Sequence, residues 1–138
     1  LKVNNIHVEL DLEAPTIFAD PNYIAQLLQS LIQNAIIFKK NNTTTKIKIK
    51  NCVKNKHWLF TISDNGIGIE KQYFDKIFLI FKRLHNKQDI PGLGMGLSIC
   101  KKIVEKHNGE IWVESEIAKG STFSFTIAIP PQQQNNAL

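Results

Sequence analysis

Apolar and polar residues alternate strictly near the start of the chain. In IHVELDL, Ile6, Val8, Leu10 and Leu12 share one face, which predicts a half-buried strand over 6–12. The period then changes. Asp20 is a good N-cap and Pro21 a good first helical residue, and Ile24, Leu27, Leu28, Leu31, Ala35 and Phe38 recur at helical spacing. A helix from Pro21 to about Lys40, with those residues as its core face, follows. NNTTT is a turn, and KIKIKNCV and HWLFTIS read as two strands joined near KNK. A short helix is expected over 70–81, and KRLHNKQDIPG lacks periodicity and reads as a loop. GMGLSICKKIVEKHN predicts a helix over 95–107 with an apolar stripe of Leu97, Cys100, Ile103 and Val104, capped by Asn108-Gly109. EIWVES and STFSFTIAI are the last strands, joined around Gly120.

Adjacent strands joined by short turns imply a mixed, mainly antiparallel sheet with the helices on one face, a two-layer α/β sandwich. Residues 1–130 make one domain, and the polar tail 131–138, PQQQNNAL, is expected to be disordered.

Bulk properties narrow the functional classes. At 138 residues and 43% hydrophobic, the chain has the size and composition of one globular domain. No apolar run approaches the ~18 residues that span a bilayer. The sequence begins at Leu1 inside a strand-like pattern, so it reads as a piece of a longer protein. The net charge of +5 invites a nucleic-acid partner, but Arg83 is the only arginine among seventeen cations. Base reading favours arginine forks, and lysines alternating with apolar residues, as in KIKIK, read as a solvated surface. Cys52 and Cys100 form no metal-ligand pattern and are expected to be two buried free thiols in a reducing, intracellular setting.

Two glycine clusters remain, DNGIGI (Asp64–Ile69) at the end of a strand and GLGMGL (Gly92–Leu97) at the start of a helix. Neither has the GxGxxG spacing of a dinucleotide site, the GxxxxGK[ST] of a P-loop, or a calcium-loop pattern. A helix N-terminus with glycines still suits an anion, because unpaired N–H groups meet the positive end of the dipole. Either cluster alone fits a simple break in structure as well. Gln26, Ser30 and Asn34 form a polar stripe on the first helix, either solvated surface or one wall of a site. Asp64 either caps its own turn or accepts from a buried donor.

Taken in order, the asparagine-bearing helix QLLQSLIQNAIIF, DNGIGI, GLGMGL and KGSTF resemble the ATP-binding catalytic domain of sensor histidine kinases. That domain belongs to a superfamily with gyrase-type topoisomerases, mismatch-repair ATPases and an ATP-dependent chaperone. FKRLH is similar to the phytochrome-like subgroup. The resemblance implies a Bergerat-type ATP-binding fold with ATP and Mg2+ as ligands. By the same likeness Asn34 holds the metal against the phosphates, and Asp64 accepts from the adenine amino group. Ser30, Gly66, Gly68 and Ile69 line the site, and Phe78 and Phe81 pack the base of a lid over about 72–93. Arg83 reaches the phosphates and, with Asn34, is the catalytic candidate. Gly92, Leu93, Gly94, Met95, Gly96 and Leu97 form the hinge and phosphate contacts, and Thr122 stands beside the adenine.

The implied function is donation of the γ-phosphate of Mg-ATP to a histidine on a separate dimerisation domain of the parent chain. A response regulator acts downstream, and this domain lies in the cytoplasm. The piece itself is expected to bind ATP without phosphorylating itself. The chain departs from the family pattern at Ser30, where asparagine is usual, at Ile37, where a lysine or another polar group is usual, and at Leu93, where threonine is common. These departures support the alternative of a degenerate nucleotide-binding or interaction module without phosphotransfer. A protein serine kinase or anti-sigma relative of the same fold is a third reading. No Asp or Glu occurs between Asp20 and Asp64, so the first helix supplies no base to activate water; negligible ATP hydrolysis is expected.

Overall fold

The computed structural model describes residues 5–14, 16–17, 19–79 and 96–131. In chain order these form β1 (Ile6–Leu12), α1 (Pro21–Ile37), β2 (Thr45–Lys54), β3 (His57–Asp64), α2 (Gly96–Lys106), β4 (Ile111–Glu116) and β5 (Gly120–Ala128). The five strands make one sheet in the order β1-β2-β3-β5-β4; β1 runs parallel to β2, and the other pairs are antiparallel. This is the mixed, mainly antiparallel sheet expected, with both helices on one side. Of the tail expected to be disordered, all but Pro131 lies outside the described residues, as do the lid residues 80–93. Among the described residues no helix is long and apolar enough to cross a membrane.

Register decides what the helices cover. Ile49, Ile62, Phe123 and Val113 line up across β2, β3, β5 and β4, as do Asn51, Phe60, Phe125 and Ile111 two residues further along. Those rows face α1 and α2. Leu27, Leu31 and Ala35 from α1 and Leu97, Cys100, Ile103 and Val104 from α2 close the core over them. Phe60 and Phe125 stack at 4.8 Å. Alternation places Lys46, Lys48, Lys50 and Lys54 on the opposite, open face. The lysine-rich surface is therefore turned away from the helices.

Local chemistry sets the ends of the elements. The Asp20 carboxylate accepts from the Asn22 N–H at 2.9 Å, and Pro21 fills the first helical position. The α1 helix stops at Ile37, short of Lys40, because Phe38 leaves helical geometry and its carbonyl accepts from Ile67 N. Asn55 and Lys56, both at positive φ, make the two-residue turn between β2 and β3. Asn108, at φ 58, caps α2, with Gly109 N donating to the Val104 carbonyl.

Three expectations are corrected. The helix over 70–81 is, up to Leu79, two single 3₁₀ turns, Lys71–Tyr73 and Lys76–Phe78, closed by i→i+3 bonds such as Tyr73 N to Glu70 O. Extended backbone at Glu70 and Leu79 bounds the segment on both sides, and a stretch this short is marginal as an α-helix. Strand β1 is not half-buried, and all seven of its residues are exposed, Leu10 at 61%. It lies at the sheet edge, where the two helices do not reach. Cys100 is buried, its thiol pushed up to about 11 by desolvation, but Cys52 is only half-buried.

Candidate functional site

The loop Asp64–Ile69 leaves β3 on the helix side and is held from four directions. Gly66 N donates to Asp64 Oδ1 at 2.8 Å. Ile67 N donates to the Phe38 carbonyl at the end of α1, and the Ile67 carbonyl accepts from Ala118 N in the β4–β5 turn. Ile69 N donates to Ser115 Oγ at 2.7 Å. The Asn65 amide bridges to β2, accepting from Lys46 N and donating to the Thr44 carbonyl. The loop is thus fixed before any ligand arrives.

Its glycines answer to that packing. A Cβ on Gly66 would collide with the Phe38 carbonyl oxygen, so the loop lies flush against the end of α1. Gly68 sits at φ +84, a backbone region that L side chains rarely adopt, and a Cβ there would collide with the Glu116 carbonyl.

Burial raises the Asp64 carboxyl above its ordinary range, opposed by backbone N–H bonds from Gly66 and Ser121. Asp64 faces Ser121 across the β3–β5 ladder, and Ser121 is 6% exposed. Ser121 Oγ lies 2.7 Å from Ser115 Oγ, which also contacts the Gly120 carbonyl at 2.9 Å. Thr122 is not part of this cluster. Its neighbour across the ladder is Ser63, and the two hydroxyls bond at 3.0 Å on the open face. The position beside Asp64 belongs to Ser121, one residue earlier. Parity carries that signal in the sequence: Ser121, Phe123 and Phe125 alternate on one face. Ser115, two residues beyond Val113 on β4, follows by the same count.

The α1 helix supplies the other wall. Ser30, Asn34 and Phe38 fall at i, i+4 and i+8, one above another on the helix. Asn34 is 5% exposed, a polar side chain among the core positions Leu31 and Ala35, whereas Gln26 two turns earlier is exposed. At the far end of the stripe Ser30 lies 3.8 Å from where a Cβ of Gly96 would stand, at the first turn of α2. At the near end Phe38 meets Gly66. One edge of α1 therefore runs from the start of α2 to the DNGIGI loop, roughly 12 Å at ~1.5 Å per residue. The end of the second glycine cluster and the heart of the first flank the same helix edge.

The remaining predicted residues are distributed as follows. Ile69 and Leu97 are buried in the core. Phe78 packs edge-on against Phe123 at 6.1 Å. Ser30 also bonds the Cys100 thiol, so it is tied to α2. Ile37, where the resemblance leads one to expect a polar group, is 49% exposed. Phe81, Arg83, Gly92, Leu93, Gly94 and Met95 lie outside the described residues.

Comparison with known proteins is consistent across sequence and structure. Residues 19–132 match the family described as histidine kinase-, DNA gyrase B-, and HSP90-like ATPase. Cyanobacterial phytochrome A of Nostoc sp. (strain PCC 7120) is 49% identical over 115 residues, covering 83% of this chain and 15% of that protein. The adaptive-response sensory kinase SasA of Prochlorococcus marinus (strain MIT 9215) is 38% identical over 132 residues, covering 93% of this chain and 35% of the kinase. The chain therefore spans a minor part of the length of these relatives. Among solved structures, the catalytic domain of histidine kinase ThkA superposes with a TM-score of 0.76 at 32% identity, covering 94% of this chain and 82% of that one. With the matched segment running from before α1 to beyond β5, the chain belongs to the histidine kinase-, DNA gyrase B-, and HSP90-like ATPase family.

Proposed function

We propose that this chain is the ATP-binding domain of a protein-histidine kinase. It would hold Mg-ATP between α1 and the Asp64–Ile69 loop and present the γ-phosphate to a histidine on a dimerising domain of its parent protein. A response regulator would act downstream; ThkA, a relative in structure, has been solved in complex with its response regulator TrrA. The observation that carries the reading is the α1 edge, with Ser30 at Gly96, buried Asn34 in the middle and Phe38 at Gly66.

The residues fit the ligand. Asp64 offers a carboxylate to an amino group, and Gly66 and Gly68 leave room for a flat ring against the backbone. Asn34 offers one amide oxygen, enough for magnesium only when the phosphates supply further ligands, which is how this cation is usually held. Magnesium would neutralise charge on the transferring phosphoryl group. The protein's own work is positioning, with the loop fixed by its hydrogen bonds and the α2 N-terminus directed at anionic oxygens. Arg83, and the glycines at 92 and 94, are assigned to the phosphate end on the resemblance alone. With two free cysteines, we place the domain in the reducing cytoplasm.

Calorimetric titration of a non-hydrolysable ATP analogue, with and without magnesium, tests this. Magnesium-dependent binding is expected, weakened at least about tenfold by Asp64→Asn, the scale of a lost hydrogen bond to a charged group at ~1.5–3 kcal/mol. Absence of binding in the native chain would sink the kinase reading. The non-catalytic interaction module, which exposed Ile37 favours, would then take its place.

A further inference from the structure

Ser115 has no place in the function proposed above, yet it ties the β4–β5 hairpin to the Asp64–Ile69 loop, 46 residues away in sequence. It stands on β4, two residues beyond core-facing Val113 and on the same side of the sheet. Its hydroxyl contacts Ile69 N at 2.7 Å, the Gly120 carbonyl at 2.9 Å and Ser121 Oγ at 2.7 Å. A serine hydroxyl has one proton to give and two lone pairs to accept with, so these three contacts use it completely.

Counting protons orients the whole group. The Ile69 N–H can only donate, so it takes one lone pair. The Gly120 carbonyl can only accept, so it takes the proton of Ser115. The third contact is then satisfied only if Ser121 donates to Ser115. Ser121, buried beside Asp64, is left with lone pairs alone. In this arrangement Asp64 and Ser121 are both acceptors, and the cluster favours a ligand bearing N–H donors while opposing a carbonyl oxygen at the same position.

We infer that Ser115 is a positioning residue for base selectivity. By consuming the proton of Ser121 and holding the amide of Ile69, it makes the base end of the site read an amino group and reject a carbonyl. It touches no ligand itself and acts through Ser121 and the Gly68–Ile69 backbone. The inference rests on the nucleotide-binding reading and names the device that sets its preference. Without Ser115, the Ser121 hydroxyl is free to rotate and donate to a carbonyl, and discrimination shrinks.

The test compares magnesium-dependent binding of ATP and of inosine triphosphate, which carries a carbonyl where ATP carries the amino group. Calorimetry on the intact chain gives the affinity ratio, and the melting temperature of the unliganded protein is recorded beside it. In Ser115→Ala the ratio should narrow about fivefold, the worth of one neutral hydrogen bond at ~1 kcal/mol. Ser115→Thr, which keeps the hydroxyl, should retain the native ratio. In a Ser121→Ala background, Ser115→Ala should leave the ratio unmoved, because the group it acts through is gone. Should Ser115→Ala fail to fold, Ser115→Cys keeps the volume with a weak donor and acceptor and is read the same way. An unchanged ratio overturns the inference, as does a loss of equal factor for both triphosphates, which marks a purely structural residue. If the native chain binds neither triphosphate, the nucleotide reading itself falls; if it binds ATP and the ratio ignores Ser115, only the inference falls.

Discussion

Strand β1 and the Asp64–Ile69 loop invert what local sequence suggests. The strand has ideal alternation, four apolar residues on one face, and ends with every residue exposed at the sheet edge. The loop has two glycines, an acid and an amide in six residues, yet bonds reach it from α1, β2, β4 and the β4–β5 turn. Alternation says which side chains share a face; it does not say that anything covers that face. Glycine signals a backbone free to bend, and here that freedom lets the loop press against neighbours too close for a side chain. Rigidity in this molecule follows long-range contact more than local propensity.

The largest expected effect lies in the loop. Gly68→Ala puts a Cβ on a backbone at φ +84 and into the Glu116 carbonyl. Strain and collision together should cost about 2–5 kcal/mol, read as a fall in the urea midpoint at constant slope. A loss under about 0.5 kcal/mol would show that the loop yields easily, and the contrast with β1 would collapse.

A second effect, smaller and of two signs, concerns Asp64. Its folded-state carboxyl is raised by burial, so the folded protein holds that proton more tightly than the unfolded chain does. Its contribution to stability is therefore fully present below the ordinary aspartate value of 3.8 and is lost as pH rises through the raised folded value. Nucleotide binding should run the other way, strengthening over the same window as the carboxylate ionises and can accept. Subtracting the Asp64→Asn titration isolates both trends from the other carboxylates. Parallel slopes for stability and binding would mean that Asp64 does not accept from the ligand.

What could be read from the sequence divides along the same line. The buried faces of α1 and α2 were legible because a helix spacing of three and four needs only local counting, and Leu27, Leu31, Leu97, Cys100 and Val104 all lie in the core. Asp64 was legible because an acid ending an apolar strand is conspicuous. Parity gives the face of Ser115, but its bond to Ile69 and the bonds of Asn65 were not legible, since those partners lie 46 and 19 to 21 residues away in sequence and only the folded sheet brings them together. Thr122 was misplaced by one residue because the motif KGSTF was matched as a string. Register with Ser63 puts its hydroxyl on the wrong side of the sheet, and a count back from Phe123 leads to Ser121.

The smallest effect is expected at the strand the pattern favoured. Leu10 is 61% exposed, so Leu10→Thr removes apolar surface that the fold hardly shields and puts a β-branched residue in its place. Stability should change by no more than about 0.5 kcal/mol, as for surface positions generally. Ile49, which stands in the same row one strand inward, is 7% exposed, and Ile49→Thr should cost about 2–3 kcal/mol by lost burial and a buried hydroxyl. The two substitutions differ by one strand position across the sheet and share a face, so their difference measures where the helix layer ends. If Leu10→Thr cost as much as Ile49→Thr, β1 would be covered in solution, and the apparent edge of the sheet would be part of its core.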